Sequence, residues 1–177
     1  MVNHNEILRS LLDKKVSILY NGNSNLNTFI EGDIFEVWKV LNTSKTKYPL
    51  IWLQSGYTVK HTNLPGNYKV VLENCNFYLI TKGDKTDFYE KRYGDTYQRM
   101  LYPLLERFKS LVSKSKGVVL GQDYEFITFP FNNQDGLNDK ANKSNPQTAT
   151  LSDIWDAIYL RVDISINGDC YPEFKIN

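Results

Sequence analysis

The fold class follows from the most regular stretch of the chain, IWDAIYLRVDISI, at residues 154–166. Its branched apolar residues occupy even-numbered positions, at Ile154, Ile158, Leu160, Val162, Ile164 and Ile166. The odd-numbered positions between them carry Trp155, Tyr159, Arg161, Asp163 and Ser165. Successive side chains of a strand point to opposite faces, so this alternation predicts an antiparallel strand with one buried and one solvated face. The Asn167-Gly168 pair that follows indicates a turn.

Three other segments predict strands. The continuous apolar run LIWL at residues 50–53 is typical of a short strand that is covered on both faces. Residues 68–81 predict a longer strand. Its apolar face carries Val71, Cys75, Phe77 and Leu79, with Glu73 as the exception. Residues 118–131 are rich in aromatic and β-branched residues and predict one further strand.

Helical periodicity marks the remaining patterned segments. Residues 7–12 predict a short amphipathic helix, and the polar residues 21–27 predict a turn. A second helix is indicated by a stripe of Ile30, Ile34, Val37, Trp38 and Leu41. Asn27 is placed to cap it. A glycine inside a helix costs about 1 kcal/mol, so the second helix could instead begin after Gly32, near Asp33.

The strongest helical pattern covers residues 88–116. Its stripe consists of Tyr93, Tyr97, Met100, Leu101, Leu104, Phe108, Leu111 and Val112. Pro103 lies inside this pattern, where it removes a hydrogen bond and clashes with the preceding turn. We therefore expect a kink or a break near residues 99–102.

These segments follow the order α-α-β-β-β-α-β-β and predict an α+β fold, with helices packed on one mostly antiparallel sheet. A length of 177 residues suits a single domain spanning 1–177. The formal net charge is +1, with acidic and basic residues interspersed. A protein that coats DNA usually carries a basic face, which this composition does not indicate.

Location and redox state follow from the cysteines and the N-terminal residues. Cys75 and Cys170 are far apart and lack metal-binding or redox spacing, so we expect reduced thiols in a cytoplasmic setting. The N-terminal residues lack the apolar segment of a signal peptide. No apolar run approaches the roughly 18 residues of a membrane span, so we expect no membrane partner.

Residue types for catalysis and metal binding are sparse. His4 and His61 are the two histidines, and no spacing supports a Ser-His-Asp arrangement around Ser55. Two histidines and two isolated cysteines do not supply a zinc site, and residues 132–139 miss the EF-hand pattern for calcium. We therefore expect no catalytic residue, no metal and no cofactor, and a protein that is not an enzyme.

Other charged residues have structural interpretations. The stretch GDKT at 83–86 lacks the spacing of a phosphate-binding loop and predicts a β-turn. Glu31, Asp33 and Glu36 are interpreted as acids in the first turns of the second helix, where they complement its dipole. Basic residues on the long helix either are solvated or form salt bridges to neighbouring copies: Lys91, Arg92, Arg99, Arg107 and Lys109.

A long polar loop, NNQDGLNDKANKSNPQTAT at residues 132–150, precedes the last main strand. Loops longer than roughly 12–15 residues are uncommon in compact domains and are functional or disordered. We expect this one to contact another chain and to become ordered there. The candidate assembly contacts are Asn132, Asn133, Gln134, Asp135, Leu137, Asp139, Lys140, Lys143, Asn145 and Gln147.

Three segments resemble a known family. YPLIWL (48–53) resembles an early strand of the tail terminator (tail completion, neck) proteins of tailed bacteriophages. The helix from YEKR (89–92) through YPLL (102–105) is similar to their main helix with its central break. SDIWDAI (152–158), followed by the alternating strand, resembles their closing strand. The resemblance covers about half of the chain.

The resemblance implies a virion structural protein that forms a homo-oligomeric ring at the head–tail junction. Its partners would be copies of itself and the adjacent virion proteins, namely a portal or connector and a tail tube or tail hub. DNA would pass through the ring transiently and without sequence specificity, and the ring would assemble in the bacterial host cytoplasm. The family implies no catalytic residues, and cyclic symmetry implies heterologous contacts between subunits.

A second hypothesis remains open from the residues alone. A small, soluble, non-viral binding module would use the loop at 132–150 to recognise one protein partner. An enzyme with an unfamiliar site is a third hypothesis, for which a pocket with perturbed titratable groups would be the indicator.

Overall fold

The computed structural model of the protein describes residues 2–20, 23–43, 48–64, 67–84, 86–121, 125–131 and 154–174. The helical segments are α1 (His4–Leu12), α2 (Ile34–Thr43), α3 (Tyr89–Arg92), a π-helix (Tyr93–Leu101) and α4 (Tyr102–Lys114), followed late in the chain by 3-10 turns at Gly168–Cys170 and Pro172–Phe174. The strands are β1 (Ser17–Tyr20), β2 (Asn23–Leu26), β3 (Thr28–Gly32), β4 (Leu50–Gln54), β5 (Thr58–Leu64), β6 (Asn67–Gly83), β7 (Val118–Leu120), β8 (Glu125–Phe131) and β9 (Ile154–Asn167). The fold is α+β, as the sequence predicts.

Two long antiparallel strands, β6 and β9, form the centre of the main sheet. Their pairing extends from Lys69 opposite Asn167 to Gly83 opposite Ile154. The outer edge of β6 pairs with both β4 and β5, and the outer edge of β9 pairs with both β7 and β8. β3 joins β4 in parallel, so the sheet is mixed but mostly antiparallel. Strands β1 and β2 form a separate hairpin.

A β-bulge divides β6 into two halves. Leu72 lies opposite Ile164 and Cys75 opposite Val162, so β6 contains one extra residue between these pairs. Asn74 adopts a positive φ of 59°, which asparagine tolerates better than most residues. Its backbone N–H donates to Asp163 Oδ1 at 2.8 Å, so the extra residue keeps a hydrogen-bond partner.

The bulge changes which residues of β6 face the core. The predicted face that joined Val71 to Cys75 is therefore wrong. Val70 and Leu72 are the buried residues before the bulge, and Cys75, Phe77 and Leu79 are the buried residues after it. Val71 is only half-buried.

The sheet separates two hydrophobic cores. The larger core lies under α1, the π-helix and α4, and includes Phe77 and Phe108 with ring centroids 5.1 Å apart. The smaller core lies under α2 and includes Val37, Trp52 and Trp155. β4 contributes to both cores, because Ile51 and Leu53 belong to the larger one and Leu50 and Trp52 to the smaller one. The prediction that both faces of β4 are covered is confirmed.

The region of the second helix contains a strand that the sequence prediction missed. Residues 28–32 form β3 and pair with β4, so Ile30 and Glu31 are not helical. The helix begins at Ile34, in agreement with the alternative start near Asp33. Asp33 Oδ1 accepts the backbone N–H groups of Phe35 and Glu36 and therefore caps the helix. The predicted turn at 21–27 is wrong for Asn23–Leu26, which form β2, and residues 21–22 lie outside the described residues.

Asn27 does not cap α2; it joins the end of α1 to β1. Its side chain is fully buried. Oδ1 accepts the backbone N–H groups of Lys15 at 3.0 Å and Val16 at 2.8 Å, and Nδ2 donates to the carbonyl of Leu12 at 2.7 Å. One side chain thus satisfies three backbone groups that the chain reversal would otherwise leave without partners.

The long helix is continuous but changes its type before Pro103. Residues 93–101 are π-helical, and the backbone N–H of Tyr102 bonds to the carbonyl of Tyr97, five residues earlier. Pro103 is at the start of α4, where its missing N–H and its ring are tolerated. The irregularity expected near residues 99–102 is present as this change of helix type.

The predicted strand at 118–131 is two strands. β7 pairs with residues 164–166 of β9, and β8 pairs with residues 155–161 of the same edge. Two short neighbours thus share the edge of one long strand. The prediction treated residues 118–131 as one strand, although Gly121-Gln122-Asp123 separates the two apolar runs in the sequence.

An ion pair between Arg92 and Asp156 ties the start of the π-helix to β9. Asp156 is fully buried and Arg92 is 7% exposed. Arg92 Nη2 donates to Asp156 Oδ1, and Arg92 Nε lies 3.4 Å from Oδ2. The Thr96 hydroxyl lies 2.8 Å from Oδ2. A Cβ on Gly83 would lie 2.9 Å from Oδ2, so this close approach requires glycine.

Loss of either charge of this pair is expected to destabilise the fold. Arg92→Met leaves the Asp156 carboxylate buried without its cation and should cost about 3–5 kcal/mol of unfolding free energy. The double variant Arg92→Met/Asp156→Asn removes both charges, so it should be less destabilised than the sum of the single variants. Urea unfolding followed by tryptophan fluorescence measures this coupling, and strictly additive effects would contradict it.

Removal of the Asn27 side chain is expected to destabilise the α1–β1 junction. Asn27→Ala removes the partner of two buried backbone groups, at Val16 and Leu12, and of the part-buried N–H of Lys15. An unsatisfied buried group costs roughly 1–3 kcal/mol, so we expect a loss of about 3 kcal/mol. Asn25→Ala is the matched control in the neighbouring hairpin and should change stability by less than about 0.5 kcal/mol. Equal effects of the two substitutions in thermal unfolding would refute this role of Asn27.

Candidate interaction surface

All of the assembly contacts predicted from the sequence lie outside the described residues. The structure does define where their segment begins and ends. β8 ends at Phe131 and β9 begins at Ile154, and Phe131 is the register partner of Trp155. The segment that contains residues 132–150 therefore connects two adjacent antiparallel strands and starts and finishes at the same end of the sheet.

One face of the sheet carries a row of aromatic rings that leads out from under α2. Trp52 is fully buried, and its ring stacks on Tyr78 with centroids 4.8 Å apart. Tyr78 contacts Tyr159 of β9 with centroids 5.2 Å apart. Both tyrosines are half-buried. Together with Asn76 and Arg161, they form what we call the open sheet face.

Hydrogen bonds hold the tyrosines of the open sheet face in place. Tyr159 donates its hydroxyl proton to Asn76 Oδ1 at 2.7 Å, and Tyr78 Oη lies 3.4 Å from Gln54 Oε1. Burial, and secondarily the neighbouring Tyr159, raises the pKa of Tyr78, so its hydroxyl stays protonated. Arg161 donates to Asn74 Oδ1 at 2.6 Å, which joins this face to the bulge.

The open sheet face has the properties of a preorganised contact surface. Tyrosine offers a large amphipathic area with few rotatable bonds, so little side-chain entropy is lost on binding. The alternation of residues 154–166 predicts Tyr159 and Arg161 on this face, and the structure confirms it. The pairing with Tyr78 was not predicted, because the bulge sets the register of β6.

Exposed apolar side chains provide further contact area. On the β1–β2 hairpin, Ile18 is buried, whereas Leu19 is 72% and Leu26 44% exposed. Phe88, just before α3, is 88% exposed. Single exposed apolar residues are common on proteins, so each of these alone indicates little. They become informative only together with an identified partner.

A polar cleft lies between α1 and the end of β3. Glu31 Oε1 accepts a hydrogen bond from the hydroxyl of Tyr57, and His4 Nε2 lies 3.3 Å from the same hydroxyl. The cavity beside them has a volume of about 380 Å³. Its walls are formed by Asn5, Arg9, Glu31, Gly32, Ser55, Gly56, Tyr57 and Val59. The sequence prediction missed this cleft because it placed Glu31 in a helix.

Burial changes the protonation of the groups in this cleft. It raises the pKa of Glu31, although the Tyr57 hydrogen bond and the charge of Arg9 act in the opposite direction. It also lowers the pKa of His4, with a further contribution from His61. The pKa of Tyr57 is raised by burial and by Glu31. At neutral pH, the cleft thus holds a neutral His4 and a carboxylate that is costly to keep charged.

A second cavity, of about 370 Å³, lies beside the Arg92–Asp156 pair. On its rim, Lys91 Nζ lies 2.6 Å from Asp87 Oδ1, and the rim residue Asp95 lies 3.3 Å from Arg99 outside the rim. Both ion pairs join residues four positions apart, and the Lys91 and Arg99 side chains are exposed, which indicates a solvated surface. This supports the solvated interpretation for Lys91 and Arg99, whereas the prediction of contacts to neighbouring copies remains open.

Other candidate residues are spread over the surface. His61 Nδ1 lies 3.3 Å from the hydroxyl of Tyr68, and within the described parts of the chain it shares no hydrogen bond with Ser55. Burial raises the pKa of the Cys75 thiol to about 12, so this thiol is unreactive.

Among the residues that the structure describes, no group of histidines, cysteines and carboxylates is arranged to hold a metal ion. Nor is any described helix long and apolar enough to cross a membrane.

Comparison with protein-family models and with curated protein sequences finds no match to this chain. A function for this protein therefore rests on the geometry of the candidate surfaces and on the resemblance of the three segments.

The stability of the protein is expected to depend on the charge of Glu31. The pKa of Glu31 is raised in the folded state, so protonation of its carboxyl stabilises the fold. This stabilisation is complete below the ordinary pKa of 4.5 and is lost as the pH rises through the folded-state pKa. Glu31→Gln is neutral at every pH, so it should be more stable than the wild type at pH 7. This advantage should shrink as the pH falls toward 4.5. Thermal unfolding across pH tests this, and a variant that is less stable at pH 7 would refute it.

Proposed function

We propose that the protein is a virion structural protein of the tail terminator or neck class, which acts by assembling into a ring at the head–tail junction. Its partners in this proposal are copies of itself, a portal or connector on one side, and a tail tube or tail hub on the other. Its place is the virion, after assembly in the bacterial host cytoplasm. The protein acts by contact and carries out no catalysis.

The observation that carries the proposal is the convergence of the three family-like segments in one unit. The first forms β4, the second forms the long helix, and the described part of the third begins β9. Their apolar side chains meet in the larger core, as shown by Ile51, Leu104 and Ile158. Segments far apart in sequence thus form a single packed sheet-and-helix unit, which is what a shared fold requires.

The open sheet face and the segment between β8 and β9 suit a protein that works through contacts. Rigid tyrosines flanked by polar groups are common in interfaces. The connecting segment is attached at one end of the sheet, where Phe131 is the register partner of Trp155. A formal net charge of +1 suits a ring that DNA passes through, because tight binding of phosphates would hold the DNA in place.

A soluble, non-viral binding module is the second candidate. The open sheet face and the same connecting segment would then recognise one protein partner, without ring formation. The two candidates differ in stoichiometry: a ring contains many copies of this chain, whereas a module binds its partner in a simple ratio.

Assembly with neighbouring virion proteins tests the proposal. We expect negative-stain microscopy and light scattering to show rings, either of the protein alone or after its portal or tail-tube neighbours are added. Some rings close only on a partner, so the isolated protein being monomeric would not decide the question. A protein that stays monomeric and joins none of these neighbours would contradict the proposal.

Deletion of residues 134–147 is expected to abolish assembly and to leave the unfolding temperature nearly unchanged, because the described pairing of β8 with β9 involves none of the deleted residues. The matched control keeps the same residues in scrambled order, which preserves length and composition. Assembly by the scrambled chain but not by the deleted one would show that only length matters. Normal assembly of the deletion variant would refute a contact role for this segment.

A further inference from the structure

The cleft beside Glu31 contains two opposite charges, an exposed Arg9 and a half-buried Glu31, and the charge of Arg9 lowers the pKa of Glu31. Glu31 Oε1 accepts the Tyr57 hydroxyl, but no described residue donates a hydrogen bond to its Oε2. The Arg9 guanidinium forms no ion pair or side-chain hydrogen bond with any described residue. Both groups line the same cavity of about 380 Å³. A half-buried carboxylate with one hydrogen bond from the described chain can accept a further hydrogen bond from a ligand cation.

The geometry of the walls constrains the ligand further. Arg9 projects from α1, and Glu31 lies at the end of β3, so the positive and negative groups stand on different walls. The cleft has no large net charge when His4 is neutral, so a ligand with separated and balanced charges complements it better than a simple ion does. Neutral donors and acceptors on Asn5 and Ser55 line the same cavity, and Val59 adds one apolar contact.

We propose that this cleft binds a small zwitterion of the α-amino acid class, with the ammonium group on Glu31 and the carboxylate on Arg9. Tyr57 acts as a positioning residue, because its hydroxyl proton occupies Glu31 Oε1 and leaves Oε2 for the ligand. The volume is at the lower end of the range for small-molecule sites and suits a ligand of this size. This site is independent of the proposed role in virion assembly.

The structure also explains why the charge of Glu31 is retained. Keeping a half-buried carboxylate ionised destabilises the folded protein, and a glutamine would avoid this cost. The Tyr57 hydrogen bond and the charge of Arg9 offset only part of this cost, since the pKa of Glu31 is still raised. A charged residue that lowers stability is typical of a binding site, where stability is exchanged for affinity.

Binding is tested on the full-length protein with the common free L-amino acids, one at a time, by titration calorimetry. Two comparison probes carry one charge each: n-butylamine supplies the ammonium group alone, and acetate supplies the carboxylate alone. We expect saturable binding of at least one amino acid, at least about tenfold tighter than either comparison probe. Absence of binding by every amino acid, or equal binding of n-butylamine, would overturn the proposal.

Two substitutions locate the site. Glu31→Gln and Arg9→Gln should each weaken binding by about tenfold or more, since each removes one charged contact. Lys60→Gln is the matched control, because Lys60 is exposed, pairs with Glu73 and lies outside the cavity wall, so it should leave the affinity unchanged. Circular dichroism verifies that each variant is folded. Binding that persists unchanged in both cleft variants would refute the assignment of the ligand to this cleft.

Discussion

The pairing of β6 with β9 is the constraint on which the rest of the structure depends. Every other strand of the main sheet reaches the sheet through one of these two strands, directly or, for β3, through β4. The long helix packs on their shared face, and the Arg92–Asp156 pair fixes its start to β9. Because the two strands are long, each outer edge holds two shorter neighbours in succession. On the opposite face, α2 packs over Trp52 and Trp155, and the open sheet face lies beside this smaller core.

Much of this architecture could be predicted from the sequence, where the pattern is local. The alternation in β9 correctly indicates one buried face, but the solvated face it predicts is wrong at Trp155, which is buried in the smaller core. The run at residues 50–53 indicates a strand covered on both sides, as the structure shows. Pro103 correctly indicates a disturbed helix, although not its π-helical form. In each case the physical cause lies within a few neighbouring residues. The α+β class follows from these elements together.

The rest depends on contacts between distant residues, which one sequence does not display. The sequence pattern of β3 predicts a helix, because Ile30 continues the apolar stripe of α2. Pairing with β4 nevertheless makes this segment a strand. Asn27 lies where the sequence predicts a cap for α2, but its side chain donates a hydrogen bond to the last residue of α1 instead. Asp156 occupies a core position only because Arg92 accompanies it. The cleft around Glu31 could not be predicted for the same reason, since α1, β3 and Tyr57 converge on it from separate parts of the chain.

The bulge at Asn74 has a consequence for how the length of β6 can vary. Along an uninterrupted strand, losing one residue turns every side chain beyond that point to the opposite face and would expose half of a core. At the bulge, the strand already carries one residue more than its partner. Removing that residue would bring the two halves of β6 into continuous alternation, with Leu72 and Cys75 still on the same face. A strand that forms the centre of a sheet thus contains a position at which the chain can shorten without turning its core outward.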